Sequence, residues 1–171
     1  MGGLRSSGPA RLERLLSISV NEERAAANSR LTAIRLTMLT MRGMERWRAG
    51  VSDFDKAMIL IAVGAITSER FTRAGLDEAL KALATPLPPE ALAPCNVSSI
   101  AAATGLNRET TRRKVKALVD EGFLVRSEHG VINFTPGFFQ QEFIHELIRS
   151  QLDSLVRTAN DLLRDGTLEA R

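Results

Sequence analysis

Between Val97 and Phe134 glycine recurs at 105, 122 and 130, and nothing regular in that stretch can run longer than those intervals allow. Glycine takes the left-handed backbone conformation that residues with a Cβ resist, so a glycine behind a helical pattern marks its end. Before Gly105, the residues Ile100, Ala101 and Ala103 read as a short helix with Ser98 as its cap, the alanines being small enough for another helix to cross closely. Leu106 fills the space under the turn, and Asn107 offers its side-chain oxygen to the open amides of a second helix over about 108–121. Gly122 stops that helix, with Phe123 placed to touch Leu118. Phe123 to Ser127 and Val131 to Thr135 then read as two short strands joined by Glu128, His129 and Gly130, a β-hairpin.

Two helices meeting steeply through such a turn form a helix-turn-helix unit. In its second helix Val115, Leu118 and Val119 make a narrow buried stripe, which leaves Arg108, Arg112, Arg113, Lys114 and Lys116 for solvent. Glu109 alone opposes them before Asp120 and Glu121 at the far end. The helix dipole favours anions first and cations last, so this order works against it. A helix that carries its cations near the start is suited to an external anion.

The flanks read as helical. From about Asn21 to Arg48 the first interruption is Gly43, and Ala27, Leu31, Ile34, Met38 and Met41 recur at spacings of four and three, an amphipathic helix whose stripe is read as core. A shorter apolar segment, Leu12 to Val20, precedes it, with Asn21 as the cap between them. Ser52 or Asp53 caps the next helix, which carries Phe54, Met58, Ile59, Ile61, Ala62 and Ile66, ends near Arg70 and reads as enclosed. A further helix is expected over Thr72 to Ala84, stopped by Pro86, Pro88 and Pro89, with a linker extending to Pro94. After the hairpin Thr135 caps and Pro136 opens a C-terminal helix. Its apolar stripe runs through Phe139, Phe143, Ile144, Leu147, Ile148, Leu152, Leu155, Val156, Ala159, Leu162 and Leu163. The expected organisation is a flexible, non-targeting tail over 1–10, a helical region over 11–90, the helix-turn-helix and hairpin over 91–135, and a C-terminal dimerisation helix over 136–171. One folding unit is the default for 171 residues.

Composition narrows the function classes. With 44% hydrophobic and 25% charged residues the chain is that of an ordinary globular protein. Lys and Arg total 23 against 20 acidic residues, a net charge of +3, so only local clustering argues for a polyanion. Cys95 is the single cysteine, which excludes an internal disulfide and a cysteine-based zinc knuckle and fits a reducing cytoplasm. His129 and His145 have no metal-ligand spacing with each other or with Cys95, so no metal is expected. The longest apolar run, Ala57 to Ile66, is about half of what a membrane-spanning helix requires. No nucleophile, base and oxyanion-donor set and no glycine-rich phosphate loop is visible, so neither catalysis nor a cofactor is expected.

Ile100-Ala101, then Gly105-Leu106-Asn107-Arg108-Glu109-Thr110, Val115, Leu118 and Glu121-Gly122-Phe123-Leu124-Val125 resemble the winged-helix domains of bacterial MarR-type regulators, and GntR-type reader domains are similar over the same stretch. The resemblance implies a mainly α fold, a winged helix-turn-helix with a short two-stranded β wing flanked by long N- and C-terminal helices. In such families the second helix enters the major groove while the wing lies along the backbone or in the minor groove. By that resemblance Asn107, Arg108, Glu109, Thr110, Arg112 and Arg113 face double-stranded DNA, with Lys116, Arg126 and His129 nearer its phosphates. Thr111 and Lys114 depart from it, standing where aliphatic residues are usual, and the wing is shorter than in most MarR-type proteins.

The expected function is therefore sequence-specific binding of double-stranded DNA by a cytoplasmic transcriptional regulator, a dimeric repressor paired through its terminal helices on a palindrome. The alternative is a winged-helix interaction module in a replication or transcription assembly, its basic face meeting an acidic partner. Met38, Met41, Met44 and Trp47 suit either core packing or a pocket for a small apolar effector. Core packing is the preferred reading, and the sequence names no effector.

Overall fold

The computed structural model describes residues 17–171, with the backbone course alone for 72–74; the tail expected over 1–10 and most of the segment Leu12 to Val20 lie outside it. Its elements, in chain order, are β1 (Ile18–Val20), α1 (Glu22–Ala27), α2 (Ser29–Val51), α3 (Phe54–Thr67), α4 (Glu69–Ala74), α5 (Val97–Thr104), α6 (Arg108–Asp120), β2 (Leu124–Arg126), β3 (Ile132–Phe134), α7 (Glu142–Arg164) and β4 (Leu168–Ala170). Short 3-10 turns occupy Glu78–Leu80, Pro89–Ala91 and Phe138–Gln140. The chain is mainly helical, with β1 pairing β4 and β2 pairing β3, both antiparallel. The described residues divide into two units, 17–42 with 150–171 and 43–149, and the divisions fall inside α2 and α7. The proline-bearing stretch 85–94, read as a linker, lies within the second unit.

In the first unit Asn21 caps as expected, its side-chain oxygen accepting from the Arg24 amide at 3.0 Å. Asn28 then ends α1 and donates from its side chain to the carbonyl of Asp165 (3.2 Å) and to the Thr167 hydroxyl (3.4 Å). Two helical turns further on, Arg35 donates to the Asp161 carbonyl (3.1 Å) and pairs with the Asp165 carboxylate. Ser154, Thr158 and Thr167 are buried on the α7 side, the Thr158 hydroxyl returning to the Ser154 carbonyl at 2.9 Å. Polar groups therefore share the interior of this unit with Leu162, and many of its apolar residues lie outward. Leu31, Ile34, Met38 and Met41 are 43 to 51% exposed, and Leu152, Leu155 and Val156 are 48 to 53% exposed. The stripe on the first long helix, expected as core, is thus an open surface, because Asn28, Thr32, Arg35 and Leu39 occupy the helix face that is partly covered.

In the second unit α3, α5 and α6 pack pairwise, β2 lies against α6 and β3 against α3. Their shared core holds Val51, Ala57, Ile59, Leu60, Val63, Cys95, Ile100, Val115, Leu118, Leu124 and Ile132. A smaller core of Phe138, Ile144 and Leu147 is joined to it through Trp47, Phe123 and Phe134. Phe134 stacks on Phe138 with ring centroids 4.6 Å apart, and Phe139 meets both edge-on. Of the methionine and tryptophan set, Trp47 packs in both cores while Met38 and Met41 are exposed.

Several expected boundaries move. Asp53, not Ser52, caps α3, accepting from the Lys56 amide at 3.1 Å; Ser52 turns the corner at a φ of 59°. That helix ends at Thr67, with Phe54 and Ile61 exposed rather than enclosed. The helix expected over Thr72 to Ala84 stops at Ala74, because Gly75 takes a φ of 75° that breaks the helix well before the prolines. Thr135 does not cap a helix: its hydroxyl donates to the Gly122 carbonyl at 2.7 Å, and α7 begins only at Glu142.

Two glycines of α2 carry opposite predictions. An ideal Cβ on Gly43 meets nothing within 4 Å, whereas one on Gly50 would lie 2.1 Å from the Phe143 ring. Gly43→Ala should raise stability by about 0.8–1 kcal/mol through helix propensity alone. Gly50→Ala should instead lower it by about 1–2 kcal/mol, since the ring must leave its place in the smaller core. Urea unfolding with unchanged m-values reads both; equal shifts of the same sign would contradict the packing described.

Candidate functional site

The segment 96–134 is assembled from local hydrogen bonds that its sequence dictates. Asn96 caps α5, its side-chain oxygen accepting from the amides of Ser98 (2.9 Å) and Ser99 (3.0 Å), while the Ser99 hydroxyl accepts in return from the Asn96 amide (3.0 Å). Ser98, expected as the cap, is therefore the second residue inside the helix. Gly105 ends α5 at a φ of 71°, Leu106 tucks against the core, and Asn107 caps α6 by accepting from the Thr110 amide at 2.7 Å. At the other end the amides of Gly122 and Phe123 return to the carbonyls of Val119 (3.0 Å) and Leu118 (2.9 Å), the glycine-closed helix end that the sequence indicates.

These caps fix how α6 is rotated. Thr111, Val115 and Leu118 are buried against α3, α5 and β2. Thr111, a departure from the aliphatic pattern, is fully buried because its hydroxyl finds the Asn107 carbonyl at 3.0 Å. Glu109, Arg112, Arg113, Lys116 and Asp120 fall on the opposite face, spaced three and four apart, and all are exposed, as is Arg108. Within that face Arg112 donates twice to Glu109, from Nε to Oε2 (3.0 Å) and from Nη2 to Oε1 (2.7 Å). Lys116 pairs with Asp120 at 2.6 Å. Arg108 and Arg113 hold no ion pair among the described residues. The fork lowers the Glu109 carboxyl below its ordinary range and raises Arg112, each through the hydrogen bond to the other.

Lys114 corrects the expectation that all five cations face solvent. Its ammonium pairs with Asp53, the cap of α3, and approaches Asp55 at 4.0 Å. Lys56 of α3 pairs in turn with Glu121 at the end of α6. These two bridges hold α6 against α3 and were not legible in sequence, since the partners lie 61 and 65 positions apart. The Lys114 hydrogen bond chiefly lowers the Asp53 carboxyl, with burial opposing it. The stabilisation is therefore present above the ordinary value of 3.8 and is lost as pH falls through the lowered folded value. Asp53→Asn keeps a competent cap but removes the ion pair, so it should cost about 0.5–1 kcal/mol at pH 7. Denaturation curves should show that difference vanishing at acidic pH; a difference that persists below the carboxylate range would assign it to something other than the charge.

The hairpin is narrower than expected, with strands of three residues and register Leu124 to Phe134, Val125 to Asn133 and Arg126 to Ile132. Its turn closes on Ser127, whose carbonyl accepts from the Gly130 amide (3.0 Å) and whose hydroxyl accepts from the Val131 amide (3.1 Å). The Ile132 amide donates to the Cys95 carbonyl at 2.8 Å, which ties β3 to the residue before the α5 cap. Arg126 and His129 are exposed on this hairpin, beside the equally exposed Glu128. Asn107, Arg108, Glu109, Arg112, Arg113 and Lys116 are exposed on α6 and its cap, and Thr110 is half-buried. The Asn107 oxygen is committed to the cap, so its amide nitrogen is what remains for a ligand.

Among the described residues no group of three His, Cys, Asp or Glu side chains could hold a metal, and no helix is long and apolar enough to cross a membrane. Burial raises the Cys95 thiol, which keeps it protonated and unreactive. Comparison with protein-family models, with curated proteins and with solved structures finds no match for this chain.

Proposed function

We propose that 97–134 is a winged helix-turn-helix that binds double-stranded DNA in a sequence-specific manner, as the reading module of a transcriptional regulator. The observation that supports this most is the rotation of α6. Its apolar side and Thr111 are held inward, while Arg108, Arg112, Arg113 and Lys116 stand outward directly after an Asn-capped turn and ahead of a hairpin carrying Arg126 and His129. Arginine forks suit guanine edges and any of these cations suits phosphate. Duplex retention by the purified chain tests the reading. With roughly five phosphate contacts, affinity for a random-sequence duplex should fall about 100- to 1000-fold between 50 and 200 mM salt. Failure to bind duplex at either salt would overturn the proposal and favour the protein-interaction module.

We further read the open apolar stripes of the first unit as the seam of a homodimer. Ile18, Val20, Leu31, Ile34, Met38, Met41, Leu152, Leu155 and Val156 are each about half exposed. A standard stable interface takes on the order of 800 Å² from each partner, and these residues are its proposed apolar centre. A second copy presents the same stripes, so the match is self-complementary. Two readers in one particle suit a palindromic site.

A further inference from the structure

We infer that Glu109 is a specificity-determining residue of the α6 face, which restrains Arg112 from phosphates and releases it to guanine beside a cytosine amino group. This rests on the proposed reading of duplex DNA. The pair sits on the outward face, with Arg112 65% and Glu109 73% exposed, so both side chains are accessible to a ligand. Both guanidinium donors used are in the fork geometry that guanine O6 and N7 also accept. On reaching either a guanine or a phosphate Arg112 must leave Glu109, because both donors of its fork are committed there; the two cases differ in what the freed carboxylate then meets.

A carboxylate in the first turn of a helix has an ordinary reason to be there, since it complements the positive end of the helix dipole. That reason accounts for the charge of Glu109, and the i,i+3 pair with Arg112 adds a little helix stability; neither supplies a partner for the carboxylate once Arg112 turns to DNA. Close to duplex DNA the carboxylate is repelled by the phosphates and finds a favourable partner only where a base offers an amino group; cytosine N4 offers one with no acceptor on its own major-groove edge, whereas adenine N6 stands beside the N7 acceptor, which repels a carboxylate. Glu109 thus weakens every non-specific encounter and is compensated only at a site that pairs a guanine for Arg112 with a neighbouring cytosine. Asp120 shares the face and pairs with Lys116, but it lies at the opposite end of α6, away from the first turns.

The test uses the full chain, a duplex recovered by selection from a random library and a shuffled duplex of the same composition. Glu109→Gln should bind the shuffled duplex about 3- to 10-fold more tightly than wild type, while binding to the selected duplex changes less than 3-fold, so that discrimination falls. Replacing the C·G pair beside the Arg112 guanine by T·A in the selected duplex, with that guanine kept, should cost the wild type about 10-fold and Glu109→Gln less than 3-fold. Glu109→Asp keeps the charge and the dipole contact but shortens the reach to Arg112. It should bind the shuffled duplex like wild type and still lose the single-base penalty. Equal tightening of both duplexes by Glu109→Gln, or an Asp variant that discriminates like wild type, would reduce Glu109 to a bulk charge and overturn the inference alone. A wild-type chain that binds neither duplex in a salt-dependent way would overturn the DNA reading and the inference with it.

Discussion

Alanine at both Arg112 and Arg113 is expected to weaken duplex binding about 10- to 100-fold near 0.15 M salt and to flatten the slope of log affinity against log salt by about 1, the share of Arg113, since Arg112 is turned to a base. Both side chains are outward on α6, and neither contributes to the core beneath it. The thermal midpoint should therefore stay within about 2 °C of the wild type. That separation distinguishes lost contacts from lost fold. Lys114→Ala provides the contrast: its ammonium is held by Asp53, so it should lower stability while leaving the salt slope within error of the wild type. If instead Lys114→Ala flattened the slope and the arginine pair did not, the face of α6 assigned to DNA would be the wrong one. Fluorescence anisotropy with one labelled duplex across a salt series measures all three.

Glutamate at both Ile34 and Leu155 is expected to convert a dimer into monomers, raising the dissociation constant by at least about 1000-fold. The two positions lie in the centre of their stripes, and both are about half exposed in the single chain. Replacing them removes nothing from the interior of a monomer, so helical content should be unchanged. A two-fold interface would instead receive four carboxylates with no cationic partner assigned to them. Duplex binding should weaken with it, because two linked readers hold a palindrome far better than one. Analytical ultracentrifugation gives the mass; a wild type that sediments as a monomer at high micromolar concentration would contradict the seam outright.

The legibility of this chain followed the range of the interactions. Asn21, Gly105, Asn107, Gly122 and Gly130 were readable because each acts on amides and carbonyls within a few residues. Asn96 displaced Ser98 as the α5 cap for a reason equally local: Ser99 lies at the position where its hydroxyl can complete a reciprocal pair, and the apolar pattern alone did not show it. The α6 face was legible through its buried stripe, yet Lys114 was misplaced because its partners are Asp53 and Asp55, on a helix far away in sequence. β1 and β4 are three residues each and meet across the whole described chain, too short for any periodicity to reveal. The stripe of Leu31, Ile34, Met38 and Met41 was readable as apolar, but a pattern cannot say whether a partner lies within the chain or outside it. Arg35, Ser154 and Thr158 decide that, by placing polar groups within the helix pair.

The central claim is that duplex DNA is received by the outward face of α6 and the hairpin beside it. Amide chemical-shift mapping of the isotope-labelled full chain, titrated with a short duplex at low salt, tests this most directly. Shifts should concentrate over residues 105–116 and 126–131, with Arg108, Arg112 and Arg113 among the largest, and should reverse when salt is raised. Saturating duplex that leaves those amides unmoved, or moves only residues elsewhere, would contradict the account.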